Sequence, residues 1–173
     1  MKTKGEVMNR IIKGRVWKFG DNINTDVISP GIYQAAPIEE IKKHSLEAIN
    51  PRFPKEAQQG DVIVAGKNFG CGSSRESAPR ALKALGIEAI VAESFARIFF
   101  RNAIAIGLTV LACPSVSQNF TEGEVLELDL ETALIRNLDR NLTLQGKPLP
   151  QEMQAVLEKG GITALLKEMF ADS

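Results

Sequence analysis

Short and almost uninterrupted apolar runs occur at intervals along the first two thirds of the chain. Residues 61–65, 87–92 and 108–112 consist mostly of Val, Ile, Leu and Ala, and a glycine directly precedes each run. Runs of this length are typical of strands that are buried on both faces of a parallel sheet. An amphipathic segment separates the first two runs, so residues 61–92 predict a right-handed strand–helix–strand unit.

Longer amphipathic segments predict the other helices. Residues 38–50 place isoleucine and leucine near one face and charged side chains on the opposite face. Residues 94–106 predict a further helix, with Ser94 as its cap. The last segment, residues 151–170, has a helical pattern that the glycine pair 160–161 interrupts.

Alternating apolar and polar positions predict strands at both ends of the chain. The alternation is short at residues 11–19 and clearer at 124–130 and 142–144, which we expect to form short antiparallel strands. Residues 20–37 are predicted to form one long ordered loop. The chain is thus predicted to be one α/β domain, residues 1–173. Its mostly parallel central sheet is flanked by helices, with antiparallel strands in the C-terminal third.

Composition excludes several classes of function. Twenty-one basic residues balance twenty-one acidic residues without a long run of either sign, so nothing indicates binding to nucleic acid or to an anionic membrane. The longest apolar run, residues 103–113, is too short to cross a bilayer, and residues 1–6 contain no apolar leader segment. Together with only two cysteines, these features predict a cytoplasmic protein.

The chain contains few cysteine and histidine residues that could ligate a metal ion. Cys71 and Cys113 are the two cysteines, and His44 is the one histidine. An iron–sulfur cluster or a structural zinc ion normally takes three or four cysteine or histidine ligands. We therefore expect no metal site in this chain by itself, and any metal chemistry would need another chain. Cys71 is interpreted as small buried filler, and His44 receives no role.

Residues 66–76, with the sequence GKNFGCGSSRE, form the most distinctive turn of the chain and are called the glycine turn below. Three glycines occur within seven residues, at positions 66, 70 and 72. Glycine adopts positive φ readily and lets the backbone approach a ligand closely. The phosphate-binding pattern is absent, because Lys67 precedes Gly70 and Gly72 and no Gly-Lys-Ser/Thr closes the turn. The dinucleotide-binding pattern Gly-x-Gly-x-x-Gly is absent here too.

The end of the glycine turn predicts an anion site. Ser73 and Glu76 match a capping box, and the free N–H groups of a helix start favour an anion. Arg75 adds a planar fork of donors suited to a carboxylate or phosphate. Pro79 would fall inside a helix counted from Ser73, so either the first turn is kinked or the regular helix starts near Pro79. A capped helix without any ligand is the alternative interpretation.

Three stretches carry a more specific resemblance. They are residues 20–26 (GDNINTD), 68–76 (NFGCGSSRE) and 92–103 (AESFARIFFRNA), in this order along the chain. Over most of residues 14–165 the chain resembles the family of 3-isopropylmalate dehydratase small subunits, the swivelling domain of the aconitase superfamily. The resemblance implies a swivelling β/β/α domain. It also implies a hydro-lyase that moves the hydroxyl of a small dicarboxylate to the neighbouring carbon by dehydration and rehydration.

The resemblance also implies a partner and the roles of five residues. An aconitase-like large subunit, in a heterodimer or heterotetramer, would carry a [4Fe–4S] cluster that acts as a Lewis acid. Ser73 would be the base that takes the α-proton, Ser74 would help to hold the substrate, and Arg75 would bind a carboxylate. Asp26 and Ser29 would face the substrate from the loop that precedes the first helix.

By the same resemblance, the substrate is selected in the segment that follows Pro30 and Gly31. This specificity loop, residues 32–36, includes Tyr33, Gln34, Ala35 and Ala36. Homoaconitase-like relatives place an arginine where Ala35 stands. Small uncharged residues there favour a branched alkyl group, which points to 2-isopropylmalate. The alternatives are a methyl-substituted malate, such as citramalate or 2,3-dimethylmalate, and homocitrate or homoaconitate.

Three further positions bear on the resemblance to the family, and one function of another class remains an alternative. Many relatives have histidine or glutamine where Ser77 stands, and we expect this difference to affect packing around the site more than the chemistry. Arg97 and Arg101 also match the family and are expected to anchor structure or the partner subunit. A function of another class also remains: a non-catalytic α/β module whose glycine turn binds an anion without a partner.

Overall fold

A mixed β-sheet of seven strands forms the centre of the protein in a computed structural model that describes residues 10–171. In chain order the strands are β1 (Ile11–Lys18), β2 (Val62–Ala65), β3 (Ala89–Ala92), β4 (Thr109–Ala112), β5 (Val125–Asp129), β6 (Leu134–Asn137) and β7 (Leu142–Gln145). Their order across the sheet is β4-β3-β2-β1-β5-β6-β7. The absence of a leader segment, predicted from residues 1–6, concerns positions outside the described residues.

One half of the sheet is parallel and the other half is antiparallel. Strands β1 to β4 run parallel, with Val16 opposite Val62 and Ile63 opposite Ile90. The predicted strand–helix–strand unit is therefore confirmed. The first half of β1 pairs antiparallel with β5, so β1 belongs to both halves. Strand β6 was not predicted, because four residues with two adjacent apolar positions give too short a pattern.

Within the described chain, five helices lie in the part that builds the parallel half of the sheet, and two more helices follow the last strand. They are α1 (Thr25–Ile28), α2 (Ile38–Ile41), α3 (Phe53–Glu56), α4 (Ser77–Ala84), α5 (Arg97–Ala105), α6 (Gln151–Glu158) and α7 (Ile162–Ala171). The described residues also form three 3₁₀ turns, at Gly31–Tyr33, Lys42–His44 and Val116–Gln118. Within residues 10–171, no helix has the length and hydrophobicity needed to cross a bilayer. The interruption predicted at residues 160–161 is confirmed as the boundary between α6 and α7.

The helix predicted over residues 38–50 was too long. The structure has α2 and the turn Lys42–His44, after which the chain leaves helical geometry. Leu46 has a φ of 58° and is fully buried, and its N–H donates to the Val27 carbonyl at 3.0 Å. A tertiary hydrogen bond and the burial of one leucine thus replace the second half of the predicted helix.

Both predicted serine caps were wrong. A helix capped by Ser73 would begin at residue 74, but α4 begins three residues later, at Ser77. The side chain of Glu76 makes no capping hydrogen bond. The alternative, a regular helix that starts near Pro79, is confirmed, because Pro79 is the third residue of α4. An N–H group at that position would have no acceptor within the helix, so proline is tolerated there. Helix α5 begins only at Arg97, because Ser94 instead accepts a hydrogen bond from the Asn68 N–H at 2.8 Å.

Buried apolar side chains from both halves of the sheet form one contiguous core. Trp17 lies within it and donates from Nε1 to the carboxylate of Asp61 at 2.8 Å. The edge of the Trp17 ring also packs against Phe53, with ring centroids 5.3 Å apart. This packing fixes β1 against β2, and the segments that follow these two strands build the candidate site.

Candidate active site

The glycine turn follows β2 and lies between the segments that leave the two neighbouring strands. Asn24, after β1, forms a parallel bridge with Cys71 of the turn, and Phe69 forms one with Phe95, after β3. The carboxyl ends of adjacent parallel strands meet at one edge of a sheet, where ligand sites commonly form. Three separate segments of the chain are therefore brought together at this edge.

The three glycines of the turn serve two different needs. Gly70 and Gly72 have φ values of 85° and 95°, as predicted. At Gly70 a Cβ atom would also lie 2.2 Å from Cγ of Phe99 in α5, so the turn can approach that helix only with glycine. Gly66 does not have positive φ, which corrects the prediction; a Cβ there would lie 1.9 Å from Oδ1 of Asp21.

Ser73 and Ser74 are exposed beside a cavity of about 200 Å³ between the glycine turn and α5. The Ser73 carbonyl accepts a hydrogen bond from Thr25 Oγ1 at 2.6 Å, and the Thr25 N–H donates to the Cys71 carbonyl at 2.9 Å. Neither serine hydroxyl has a hydrogen-bond partner among residues 10–171. The backbone beneath Ser73 is thus fixed, while its hydroxyl is available to a ligand.

Arg75 is anchored through one of its terminal nitrogens. Its Nη1 donates to Asp26 Oδ1 at 2.6 Å and to the Ser29 carbonyl at 2.7 Å. The Gly31 N–H donates to the same Asp26 oxygen at 3.0 Å. The hydrogen bond from Arg75, followed by that from Gly31, holds the pKa of Asp26 below its ordinary value. In the described part of the chain, Nη2 and Nε of Arg75 have no acceptor, so they remain available for a carboxylate.

Asp26 and Ser29 differ in their exposure to solvent. The Asp26 side chain is 65% exposed, whereas Ser29 is fully buried. The Ser29 hydroxyl lies 2.7 Å from the Ser77 hydroxyl and accepts from Gln34 Nε2 at 2.9 Å. The structure thus brings Asp26 and Ser29 to Arg75, but it occupies the hydroxyl of Ser29 with protein partners. A direct contact between Ser29 and a substrate stays a prediction.

The specificity loop is fixed to the protein by its two larger polar side chains. The ring of Tyr33 stacks on His44, with centroids 3.7 Å apart and planes 6° from parallel. Gln34 bonds Ser29 and Ser77, and Ala35 is exposed. Ala36 is half-buried, and Ile32, at the start of the loop, is 85% exposed.

Sequence reasoning missed two residues that hold the site. Thr25 supports Ser73 from 48 residues away, and no local pattern marks that contact. His44 received no role because no cysteine or carboxylate motif accompanies it, yet it packs against Tyr33. Long-range contacts of this kind are set by the tertiary fold alone.

The described residues do not suit an iron–sulfur cluster. No group of three or more histidine, cysteine, aspartate or glutamate side chains within residues 10–171 could hold a metal ion. Cys71 and Cys113 are free thiols, half-buried and buried respectively. Burial, followed by the charge of Glu93, raises the pKa of Cys113 to about 11, so this thiol stays protonated near neutral pH.

Comparison with known proteins agrees with this geometry. The family model of the aconitase C-terminal domain matches residues 17–115. A small subunit of 3-isopropylmalate dehydratase from Methanopyrus kandleri is 52% identical, over 92% of this chain and 95% of the relative. An isopropylmalate/citramalate isomerase small subunit from Methanocaldococcus jannaschii is 50% identical, over 96% and 99%.

Solved structures show the same relationship. The crystal structure of a 3-isopropylmalate dehydratase from Methanocaldococcus jannaschii superposes with a TM-score of 0.88 at 42% identity, covering 94% of this chain and 96% of that one. At this level of identity and coverage the similarity extends well beyond a shared fold. The chain therefore belongs to the aconitase C-terminal domain family, and within it to the small subunits of 3-isopropylmalate dehydratase.

Proposed function

We propose that this chain is the small subunit of an isopropylmalate isomerase, a hydro-lyase that converts 2-isopropylmalate to 3-isopropylmalate by dehydration and rehydration. One observation carries the proposal: Ser73, which is exposed, and Arg75, whose guanidinium is bound through Nη1 alone, line the same cavity. A base and a carboxylate clamp side by side suit the removal of a proton from the carbon next to a carboxylate. The names of the relatives, at about half identity, agree with this assignment.

Arg75 would bind a carboxylate of the substrate in the proposed mechanism. Asp26 and the Ser29 carbonyl both hold Nη1, which leaves a planar edge of two donors for a bidentate contact. The backbone N–H groups of residues 74–77 also have no acceptor within residues 10–171. They add positive potential at the start of α4, where Ser74 would assist binding.

Ser73 would take the α-proton. A serine hydroxyl is a weak base in water, so its alkoxide needs nearby positive charge and exclusion of solvent. Arg75 and the free N–H groups supply the charge, whereas Ser73 is exposed in this chain. We therefore propose that a large subunit covers the cavity and completes the site, and that this chain, residues 1–173, acts as the swivelling domain that closes over it.

The same proposal assigns the metal to the partner. An aconitase-like large subunit, in a heterodimer or heterotetramer, would hold the [4Fe–4S] cluster that supplies Lewis acidity toward the hydroxyl of the substrate. The residues of this chain would contribute the base and the carboxylate contacts. The free thiols of Cys71 and Cys113 suit a reducing compartment, and we propose a cytoplasmic location.

Substrate choice is assigned to the specificity loop. Ala35 is small, uncharged and exposed, which suits a branched alkyl group better than a third carboxylate. One relative is named for both isopropylmalate and citramalate, so citramalate is the second substrate to test. The relatives' names do not favour 2,3-dimethylmalate, homocitrate or a non-catalytic anion-binding module.

Hydration assays with an assembled enzyme test the proposal. The chain is mixed with a cluster-loaded large subunit, and hydration of 2-isopropylmaleate and citraconate is followed by loss of absorbance. Ser73→Ala is expected to lower kcat by about 100- to 10,000-fold while assembly, measured by size-exclusion chromatography, is unchanged. Ser45→Ala is the matched control, because the Ser45 hydroxyl is buried without a partner among the described residues.

Two outcomes would overturn parts of the proposal. If the wild-type mixture hydrates neither compound, the assignment as an isomerase subunit is wrong. If Ser73→Ala turns over at a rate close to that of the wild type, Ser73 is not the base.

A further inference from the structure

Gln34 closes a ring of hydrogen bonds with Ser29 and Ser77. Its Nε2 donates to the Ser29 hydroxyl at 2.9 Å and to the Ser29 carbonyl at 3.1 Å. Its Oε1 accepts from the Ser77 hydroxyl at 3.0 Å, and the two serine oxygens lie 2.7 Å apart. The ring joins the specificity loop to the first residue of α4.

The number of protons fixes the direction of each bond in the ring. The Ser77 hydroxyl gives its proton to Gln34, so the Ser29 hydroxyl must donate to Ser77. The opposite orientation of the Gln34 amide would place Oε1 against the Ser29 carbonyl, two acceptors without a proton between them. Each group therefore donates once around the ring, an arrangement in which neighbouring bonds polarise one another.

The ring also supports the anchor of Arg75. The Ser29 carbonyl accepts from Arg75 Nη1 as well as from Gln34 Nε2. Ser29 is fully buried, so water cannot readily replace a lost partner. A change at Gln34 is thus transmitted to the carbonyl that orients the guanidinium.

We propose that Gln34 is a positioning residue, which acts through Ser29 and Ser77 to hold the specificity loop and Arg75 in one arrangement. This inference rests on the proposed function and assigns Gln34 a role other than substrate contact. The stack of Tyr33 on His44 fixes the neighbouring loop residue in a similar way. Substrate discrimination is then left to Ile32 and Ala35, which are exposed and whose side chains make no hydrogen bond within residues 10–171.

Kinetics of the assembled enzyme separate positioning from substrate contact. Gln34→Leu removes both the donor and the acceptor, and we expect KM for 2-isopropylmaleate to rise about tenfold with kcat within about threefold of the wild type. Ser77→Ala should act in the same direction, and Ser77→Thr, which keeps the hydroxyl, should restore KM. Gln151→Leu is the control, because Gln151 is exposed and its side chain has no hydrogen bond in the described chain.

The double variant decides between the two roles. If Gln34 acts through the ring, Gln34→Leu combined with Ser77→Ala should raise KM no more than about twofold beyond the larger single effect. If the two effects multiply, Gln34 acts independently of Ser77 and the proposal is overturned. A failure of Ser77→Thr to restore KM would also overturn it.

Hydrogen exchange of the isolated chain tests the ring without any activity. Gln34→Leu should speed amide exchange in residues 31–36 by about tenfold and leave exchange in β2 unchanged. Unchanged exchange in the loop would overturn the proposal even if KM changed. If the wild-type mixture proves inactive, the proposed function fails, while the exchange result still decides whether Gln34 holds the loop.

Discussion

Replacement of Gly70 by alanine tests whether the close approach of the glycine turn to α5 stabilises the candidate site. Gly70 has a φ of 85°, and a Cβ atom there would lie 2.2 Å and 2.4 Å from Cγ and Cβ of Phe99. Positive φ costs an alanine about 1–2 kcal/mol. Phe99 is 2% exposed and cannot move into solvent, so overpacking adds about 1–3 kcal/mol. The free energy of unfolding should fall by about 2–5 kcal/mol in total.

Two glycines of the same chain provide matched controls. Gly72 has a φ of 95°, but the nearest atom to its Cβ position is 3.5 Å away, so Gly72→Ala should cost only the backbone strain. At Gly20 φ is not positive and no atom lies within 4 Å, so Gly20→Ala should be nearly neutral. The order of loss is therefore Gly70, then Gly72, then Gly20.

Urea unfolding followed by circular dichroism measures these differences. Each kcal/mol corresponds to about 2–4 °C in Tm for a chain of this length, so a thermal scan gives an independent measure. If Gly70→Ala loses no more stability than Gly72→Ala, the contact with Phe99 does not constrain the turn and the steric reasoning is wrong.

Two further predictions concern buried polar groups. Thr109 in β4 is fully buried and its hydroxyl has no partner among the described residues, so Thr109→Val should raise the free energy of unfolding by about 1 kcal/mol in urea titrations; a loss of stability would show that the hydroxyl is satisfied. The pKa of Cys113 is raised to about 11 by burial, so a thiol reagent at pH 8 should modify one cysteine, Cys71, in the native chain and both in urea. Equal rates for both thiols before unfolding would contradict the buried position of Cys113.

Three strands of the parallel half of the sheet were predictable from sequence. Apolar runs that follow a glycine identified β2, β3 and β4, because a strand buried on both faces is apolar at nearly every position. The resemblance in three stretches selected Ser73, Ser74, Arg75 and Asp26, which the structure places around or beside one cavity. Their chemical roles stay proposals that the assays above decide.

Local patterns failed wherever a distant residue competed for the same group. Ser94 has the features of a helix cap, but its hydroxyl accepts from Asn68, and α5 begins three residues later. Leu46 sits in a good helical pattern, but its N–H donates to Val27 instead. In both cases a contact between remote segments outweighs a preference that is worth about 1 kcal/mol or less per residue.

The sequence by itself determined which residues form the glycine turn, that a buried strand precedes it and a helix follows it, and that Ser73 and Arg75 stand two positions apart within it. The tertiary structure decided how these side chains are used. Folding brings Asp26 and Ser29 against Arg75, and it ties Gln34 to Ser77 across 43 residues of sequence. Hydrogen bonds between remote segments produce no periodic or local pattern in a sequence. Only the tertiary structure therefore shows that Arg75 of the glycine turn and Gln34 of the specificity loop both bond the Ser29 carbonyl.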